Sequence, residues 1–356
     1  MAKSPVSATD VPMELAITID VEEEGLFRKS YESRTDLTGN VECLAKLDHV
    51  FRKHGIKPTL FVSYAVAVHS SHRAFLSDLA RQWGAEIGIH LHHWNTPPLE
   101  PLPFPQPTPS ELIPVELLRA KFNNVLDVVR EMNPNPVSFR MGRFNLGAKM
   151  FRVLEDSPIQ VDSSIAPLRT EYGGPDHLTA PSDPYFPDSS DPRRPGHSRI
   201  LEVPITIVPI YPGIGSLAEW ISSLSQATKY LVRPATKYLA SLSAQPMATG
   251  LRRLKAAARL HQARQGRTLT LYFHSSELLP GGCPQHNTEA DVTRFIDKID
   301  AFLDWAIEEL EARPLVMSKL RDLYDTSFAD SPAQGSESDP REQASGMDMK
   351  ERSRAG

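Results

Sequence analysis

Short apolar runs alternate along the chain with longer stretches whose apolar residues recur at helical spacing. LAITID (15–20), PTLFVS (58–63), EIGIH (86–90), PVSFR (136–140), PIQVDSSI (158–165), RILEVPIT (199–206) and TLTLYFH (268–274) read as strands. Between them, Val41, Leu44, Leu47 and Phe51 mark a helix that stops at Gly55, and FLSDLARQWG (75–84) marks another closed by glycine. Leu118, Phe122, Val125, Val129 and Met132 share one helical face, with Pro114 in its first turn. A short helix follows near Lys149–Leu154. The last strong helix starts at Thr288 as N-cap and buries Val292, Phe295, Ile299, Phe302 and Ile307. Strands alternating with helices predict a parallel sheet with the helices outside, and about seven strands favour a (β/α) barrel over two separate domains.

Two stretches break the alternation. Residues 211–266 read as a mostly helical insertion whose second half, LRRLKAAARLHQARQGR, is basic; a solvated outer helix and a contact for an anionic partner both explain it. Prolines, 31 in all, crowd into 97–109 and 175–195, which read as long surface loops walling a groove. The expected organisation is a flexible N-terminus (1–13), one barrel domain (14–326) and a disordered polar tail (327–356).

Composition narrows the function. Of 356 residues, 40% are hydrophobic and 23% charged, an ordinary globular balance, and the net charge of -5 argues against a nucleic-acid partner. Cys43 and Cys283 are the two cysteines and form no CxxC, which excludes a cysteine zinc site. No stretch approaches the ~20 apolar residues of a membrane span, and MAKSPVSATDVPMEL lacks the apolar core of a secretory signal. A cytoplasmic protein without a membrane segment is expected.

Polar chemistry collects where the strands end, the place where parallel α/β folds build active sites. The first strand ends in Asp20-Val21-Glu22-Glu23-Glu24, and Asp20 and Glu22 face the same side while the backbone stays extended. Four adjacent acids repel one another unless a cation or arginines intervene. The third strand ends in His90-Leu91-His92-His93, and imidazole with carboxylate is a donor set suited to zinc. Arg140 ends the fourth strand and can hold a carboxylate ionised; Asp162 and Ser163 are weaker candidates at the next. His274 ends the last strand, and a histidine suits proton donation near neutral pH. Trp94 and Tyr272 read equally as an apolar face for a ligand and as core. GxSxG, P-loop, GxGxxG and HExxH motifs are absent.

In order, ITIDVEEEG, EIGIHLHHWNTPP, FRMGRF, VDSSIAP and LYFHSSELLPGG resemble the five motifs of the polysaccharide deacetylase superfamily, the NodB-homology carbohydrate esterases. GIKPTLFV and LEVPIT resemble its connecting segments, and the likeness runs from about residue 14 to 282. It implies a distorted (β/α)7 barrel carrying a divalent metal, often zinc, and a substrate bearing N-acetyl groups on a carbohydrate. Carried over, Asp20 is the general base, Arg140 orients it and His274 is the general acid. Glu22, His90 and His92 are the metal ligands, with His93 as the alternative to His92. The chain departs from the family pattern twice: Asp-Val-Glu replaces an adjacent Asp-Asp pair, and Trp94 stands where an HxxxH spacing would put its second histidine.

Other functions follow from the same residues. Two histidines and a carboxylate also hold iron for oxygen chemistry, although such sites favour all-β scaffolds. A non-catalytic sugar-binding or scaffold protein on this barrel would bind ligand without releasing acetate. A hydrolase of another C–N bond would share the machinery.

Overall fold

The computed structural model describes residues 12–33, 37–170, 175–211, 220–225, 228, 231 and 241–329. The chain divides into two compact units, Met1–Arg321 and Asp322–Gly356, and the architecture below belongs to the first. Most of the expected tail, from residue 330, and the N-terminus as far as residue 11 lie outside the described residues, as does much of the insertion between 212 and 240. Met13, expected in the flexible leader, is instead buried in the core.

Seven parallel strands form the sheet: β1 (Glu14–Val21), β2 (Thr59–Ser63), β3 (Glu86–Leu91), β4 (Ser138–Met141), β5 (Val161–Asp162), β6 (Leu201–Glu202) and β9 (Thr268–His274). Their order is β9-β1-β2-β3-β4-β5-β6, with the short β10 (Arg313–Pro314) beside the start of β1. Thr206, just past β6, reaches β9 through Thr206 N–H to Thr270 O (3.2 Å) and Thr270 N–H to Thr206 Oγ1 (2.8 Å). The sheet thus curls into a distorted (β/α)7 barrel, the expected architecture. Parallel strands are covered on both faces, so β1 is buried from Leu15 onward and reads as a continuous apolar run.

The outer helices follow their apolar periodicity with local adjustments. Val41, Leu44 and Leu47 lie on a 3-10 turn (Gly39–Leu47) that passes into α1 (Asp48–His54), and Gly55 ends it at φ 61°, a left-handed conformation that glycine adopts without strain. The helix predicted at 75–84 starts earlier, at Ser70, and Pro114 is the N-cap of Val115–Val129 rather than a first-turn residue. Thr288, the predicted N-cap, caps the helix Glu289–Glu309, and the structure adds a reciprocal box with Asp291. Ile307 is only half-buried; Leu303, Trp305 and Ala306 fill the end of that helix's inner face.

The insertion is not helical throughout. Ser241–Ser243 (β8) pairs antiparallel with Ile207–Pro209 (β7), an arrangement the helical reading missed. Its basic half is a helix, Leu251–Ala263, that buries Leu254, Ala257, Ala258 and His261. Lys255 and Arg259 lie over the Trp305 ring at 5.3 and 5.2 Å. The proline-rich loop after β3 is tied to the barrel by Lys121, whose buried ammonium donates to Thr96 O and Pro98 O. Among the described residues, no helix is long and apolar enough to cross a membrane.

Asp162 and Glu202 end neighbouring strands, paired in register and fully buried. Burial pushes the Asp162 carboxyl up to about 6, and burial together with Asp162 pushes Glu202 well above the carboxylate range. The folded pair therefore keeps a proton that the unfolded chain has already released in the ordinary carboxylate range. Its stability contribution is complete at acid pH and is lost as pH rises through the folded values. Glu202→Gln supplies a permanent donor to Asp162 and removes that proton. Its melting temperature should exceed that of the wild type near pH 8, and the difference should shrink toward pH 5. Parallel melting curves with pH would dismiss the shared proton.

Candidate active site

The register of the parallel strands brings the polar strand ends together. Asp20 on β1 sits beside His274 on β9 and Phe61 on β2; His90 on β3 sits beside Arg140 on β4. Of the six residues named as site candidates, Asp20, Glu22, His90, His92 and Arg140 are buried, and the His274 side chain is 16% exposed, at the mouth.

Arg140 is 0% exposed and makes a fixed fork. One Nη donates to Asp20 Oδ1 at 2.7 Å, the other to Ser163 Oγ at 2.7 Å, and Nε donates to Ser163 O at 2.8 Å. Its guanidinium also lies 4.5 Å from the Phe61 ring centroid. Asp20 is therefore held by one oxygen, and its other oxygen, Oδ2, lies 3.8 Å from His274 Nε2. Ser163 has a role as the seat of Arg140, whereas Asp162 bonds to Ser164 in the buried acid pair described above.

Glu22, His90 and His92 converge on one point. His90 Nε2 lies 3.1 Å and His92 Nε2 3.2 Å from the same oxygen, Glu22 Oε2. Each ring is tethered by its other nitrogen: His90 Nδ1 to Arg140 O at 3.0 Å and His92 Nδ1 to Glu23 Oε1 at 2.8 Å. A tethered Nδ1–H leaves the Nε2 lone pair free for a cation. The separations approach the ~3.3 Å between donors of a tetrahedral site with ~2.0–2.1 Å bonds, so these residues fit a zinc-like ion. Asp20, Glu22 and His274 also bring donor atoms within 4.8 Å of one another, sharing Glu22 with the first group. His93 is turned away. Its Nε2 lies 2.9 Å from Gln106 Oε1 and 3.0 Å from the Thr108 backbone nitrogen in the proline-rich loop, and burial pushes it down to about 3.

Electrostatics match this geometry. Burial alone would raise the Glu22 carboxyl, but His274, His90 and His92 outweigh it and hold it below the usual carboxylate range. Burial disfavours charge on His92, yet the Glu23 and Glu22 carboxylates bring it up to about 10. His274 behaves alike: Glu22, Glu277 and Asp20 overcome burial and raise it to about 9. A cation ligated at His92 Nε2 takes the place of a proton there.

Sequence reasoning missed two residues of this site. Glu23, one of four adjacent acids, gathers His92 Nδ1, Trp94 Nε1 (3.2 Å) and Asn95 Nδ2 (2.7 Å) on one oxygen, which orients the His92 ring. Trp94 stacks on His92 at 4.3 Å and is buried, so it backs the site and offers no open face to a sugar. Gly142 is the second: a Cβ there would come within 2.1 Å of His92 Cδ2. The alternation of side-chain direction beyond β1 was the available signal for Glu23, because Glu22 and Glu23 must point apart. Gly142 had none, since its constraint comes from a strand distant in sequence.

No protein-family model and no curated protein matches the chain. Solved structures do. A Mycobacterium smegmatis protein provisionally named a polysaccharide deacetylase is 16% identical, with 92% of this chain and 96% of that one covered at a TM-score of 0.52. A Parabacteroides distasonis protein provisionally named a glycoside hydrolase/deacetylase is 13% identical, with 89% and 72% covered at a TM-score of 0.58. The fold is that of the polysaccharide deacetylases. On this deacetylase-type barrel the five motif segments of the sequence reach the same mouth: Asp20 and Glu22 from the first, His90 and His92 from the second, Arg140 from the third, Ser163 from the fourth and His274 from the fifth.

Proposed function

We propose that the protein is a metal-dependent hydrolase that removes acetyl groups from an N-acetylated sugar or polysaccharide. One observation carries this reading: an arginine-held carboxylate and an imidazole face each other at 3.8 Å beside a two-histidine, one-carboxylate donor set. A general base, a general acid and a cation site in one cleft are what amide hydrolysis requires, because water is a weak nucleophile and an amine a poor leaving group.

Glu22, His90 and His92 would hold the divalent cation, which when bound lowers the pKa of water and polarises the acetyl carbonyl. Asp20 accepts the proton of the attacking water at Oδ2, while Arg140 occupies Oδ1 and keeps the carboxylate aimed. His274 donates its Nε2 proton to the departing nitrogen, and acetate and the free amine result. The buried walls formed by Phe61 and Trp94 keep bulk water from competing for these groups.

The test is acetate release from a panel of N-acetylated saccharides by metal-loaded and chelated protein. Release by loaded protein that disappears on chelation and returns on adding zinc supports the reading. Saccharide binding with no release from any substrate would return the protein to a sugar-binding scaffold.

A further inference from the structure

The turn after β9 holds a carboxylate whose position has a chemical consequence. The chain leaves His274 directly into a 3-10 turn, Ser275–Leu278, and Glu277 folds back over it. Glu277 Oε1 accepts from His274 Nδ1–H at 2.7 Å and from the His274 backbone N–H at 3.2 Å. The Glu277 side chain is 0% exposed, and its second oxygen, Oε2, has no hydrogen-bond partner. A buried carboxylate with an idle oxygen is costly to a fold.

The turn is also built to stay. His286 Nδ1 bonds to Glu277 O at 2.7 Å. Gly282 packs so closely that a Cβ would lie 2.1 Å from Ser276 O. Ser275 Oγ donates to Asp20 O and receives Asn40 Nδ2, which also donates to Glu22 O. The segment carrying Glu277 is thereby fastened to the strand end carrying Asp20 and Glu22.

The geometry points to Glu277 as a positioning residue that commits His274 to deliver its proton from Nε2 and so makes the site competent for amides. This rests on the deacetylase reading and narrows its substrate class to N-acyl groups. In the step concerned, the C–N bond of the tetrahedral adduct breaks and its electron pair stays on nitrogen. The proton on His274 Nε2 moves to that nitrogen, the oxyanion lone pair restores the carbonyl, and acetate and amine leave. His274 is left neutral, with its remaining proton at Nδ1, shared with Glu277. Only a ring whose Nδ1–H is engaged by Glu277 presents Nε2 to the cleft in this role. An amine leaves only when protonated, whereas an activated phenolate leaves without help. Loss of Glu277 should therefore harm amide hydrolysis selectively.

The experiment compares wild type, Glu277→Gln and Glu277→Ala, all zinc-loaded, on an N-acetylated chito-oligosaccharide and on 4-nitrophenyl acetate. Glu277→Ala should lower kcat on the amide about 100-fold, the lower end of what general acid catalysis contributes, with KM little changed. Glu277→Gln, which keeps an acceptor and loses the charge, should fall between. The loss on the amide should exceed the loss on the aryl ester by at least about tenfold. Nitrogen-15 NMR of the His274 ring, read without substrate, should show an Nδ1 proton in wild type that Glu277→Ala loses. Equal losses on the two substrates, or an unchanged ring spectrum in a folded variant, overturns the assignment. Wild-type protein that cleaves the aryl ester but no amide refutes the deacetylase reading instead, and the ring spectrum then still decides whether Glu277 sets the tautomer.

Discussion

Asp20→Asn protein should lose both turnover and stability, and the two losses should be separable. Amide hydrolysis should fall by about 10²–10⁴-fold, the usual contribution of a positioned general base. Stability should fall because the Arg140 guanidinium, 0% exposed, loses its only carboxylate partner among the described residues. Removing one member of a buried ion pair costs about 3–5 kcal/mol, whereas replacing both by apolar groups is often neutral. An Asp20→Leu/Arg140→Met double variant should therefore melt closer to wild type than Asp20→Asn does, while remaining inactive. Thermal melts and acetate assays on the three proteins check this. Regained activity in the double variant would remove Asp20 from the chemistry.

The second large effect concerns the cation site. Glu22→Gln should abolish zinc binding at micromolar protein, because Glu22 Oε2 is the point on which both imidazoles converge. Glu23→Gln should be milder, about 10–100-fold in affinity, as is usual for a carboxylate that orients a ligating histidine. Gly142→Ala is the sharper variant, since it alters no donor atom. The added methyl would lie 2.1 Å from His92 Cδ2 and 2.9 Å from Leu91 O, so the imidazole must move. Its zinc affinity should drop at least as far as that of Glu23→Gln, with acetate release falling in step. Titration calorimetry with zinc measures the affinities and an acetate assay the turnover, and wild-type affinity in Gly142→Ala would show that His92 is no ligand.

Much of this was legible in the residues. The strands that build the site, β1, β3, β4 and β9, are short β-rich runs that carry Asp20, His90, Arg140 and His274 at or next to their last residue, so both their identity and the end of the sheet carrying chemistry could be read. The weakest readings fell on β5 and β6, each a two-residue strand inside a longer apolar run. Their ladders pair only two residues each, and no periodicity announces that. The β7–β8 hairpin was missed because Ser241–Ser243 pairs with a segment more than thirty residues earlier.

The histidine cluster shows where sequence stops. His92 and His93 are adjacent and chemically identical, and the sequence left both open as the partner of His90. Their difference is created by partners outside the strand: Glu23 at 2.8 Å for one, Gln106 in the following loop at 2.9 Å for the other. Likewise, Asp20, Arg140 and His274 could be named singly, but their separations of 2.7 and 3.8 Å come from strand register.

What the sequence determined by itself is the order of elements and the kind of chemistry at each strand end, because local periodicity and side-chain type are properties of neighbouring residues. Which nitrogen faces the cleft, which carboxylate it meets and which glycine must stay bare were decided only by the tertiary structure. Apart from the local contact of His274 with Glu277, those properties depend on contacts closed across about 50 to 250 residues of chain, and burial is what turns them from weak surface pairings into fixed geometry.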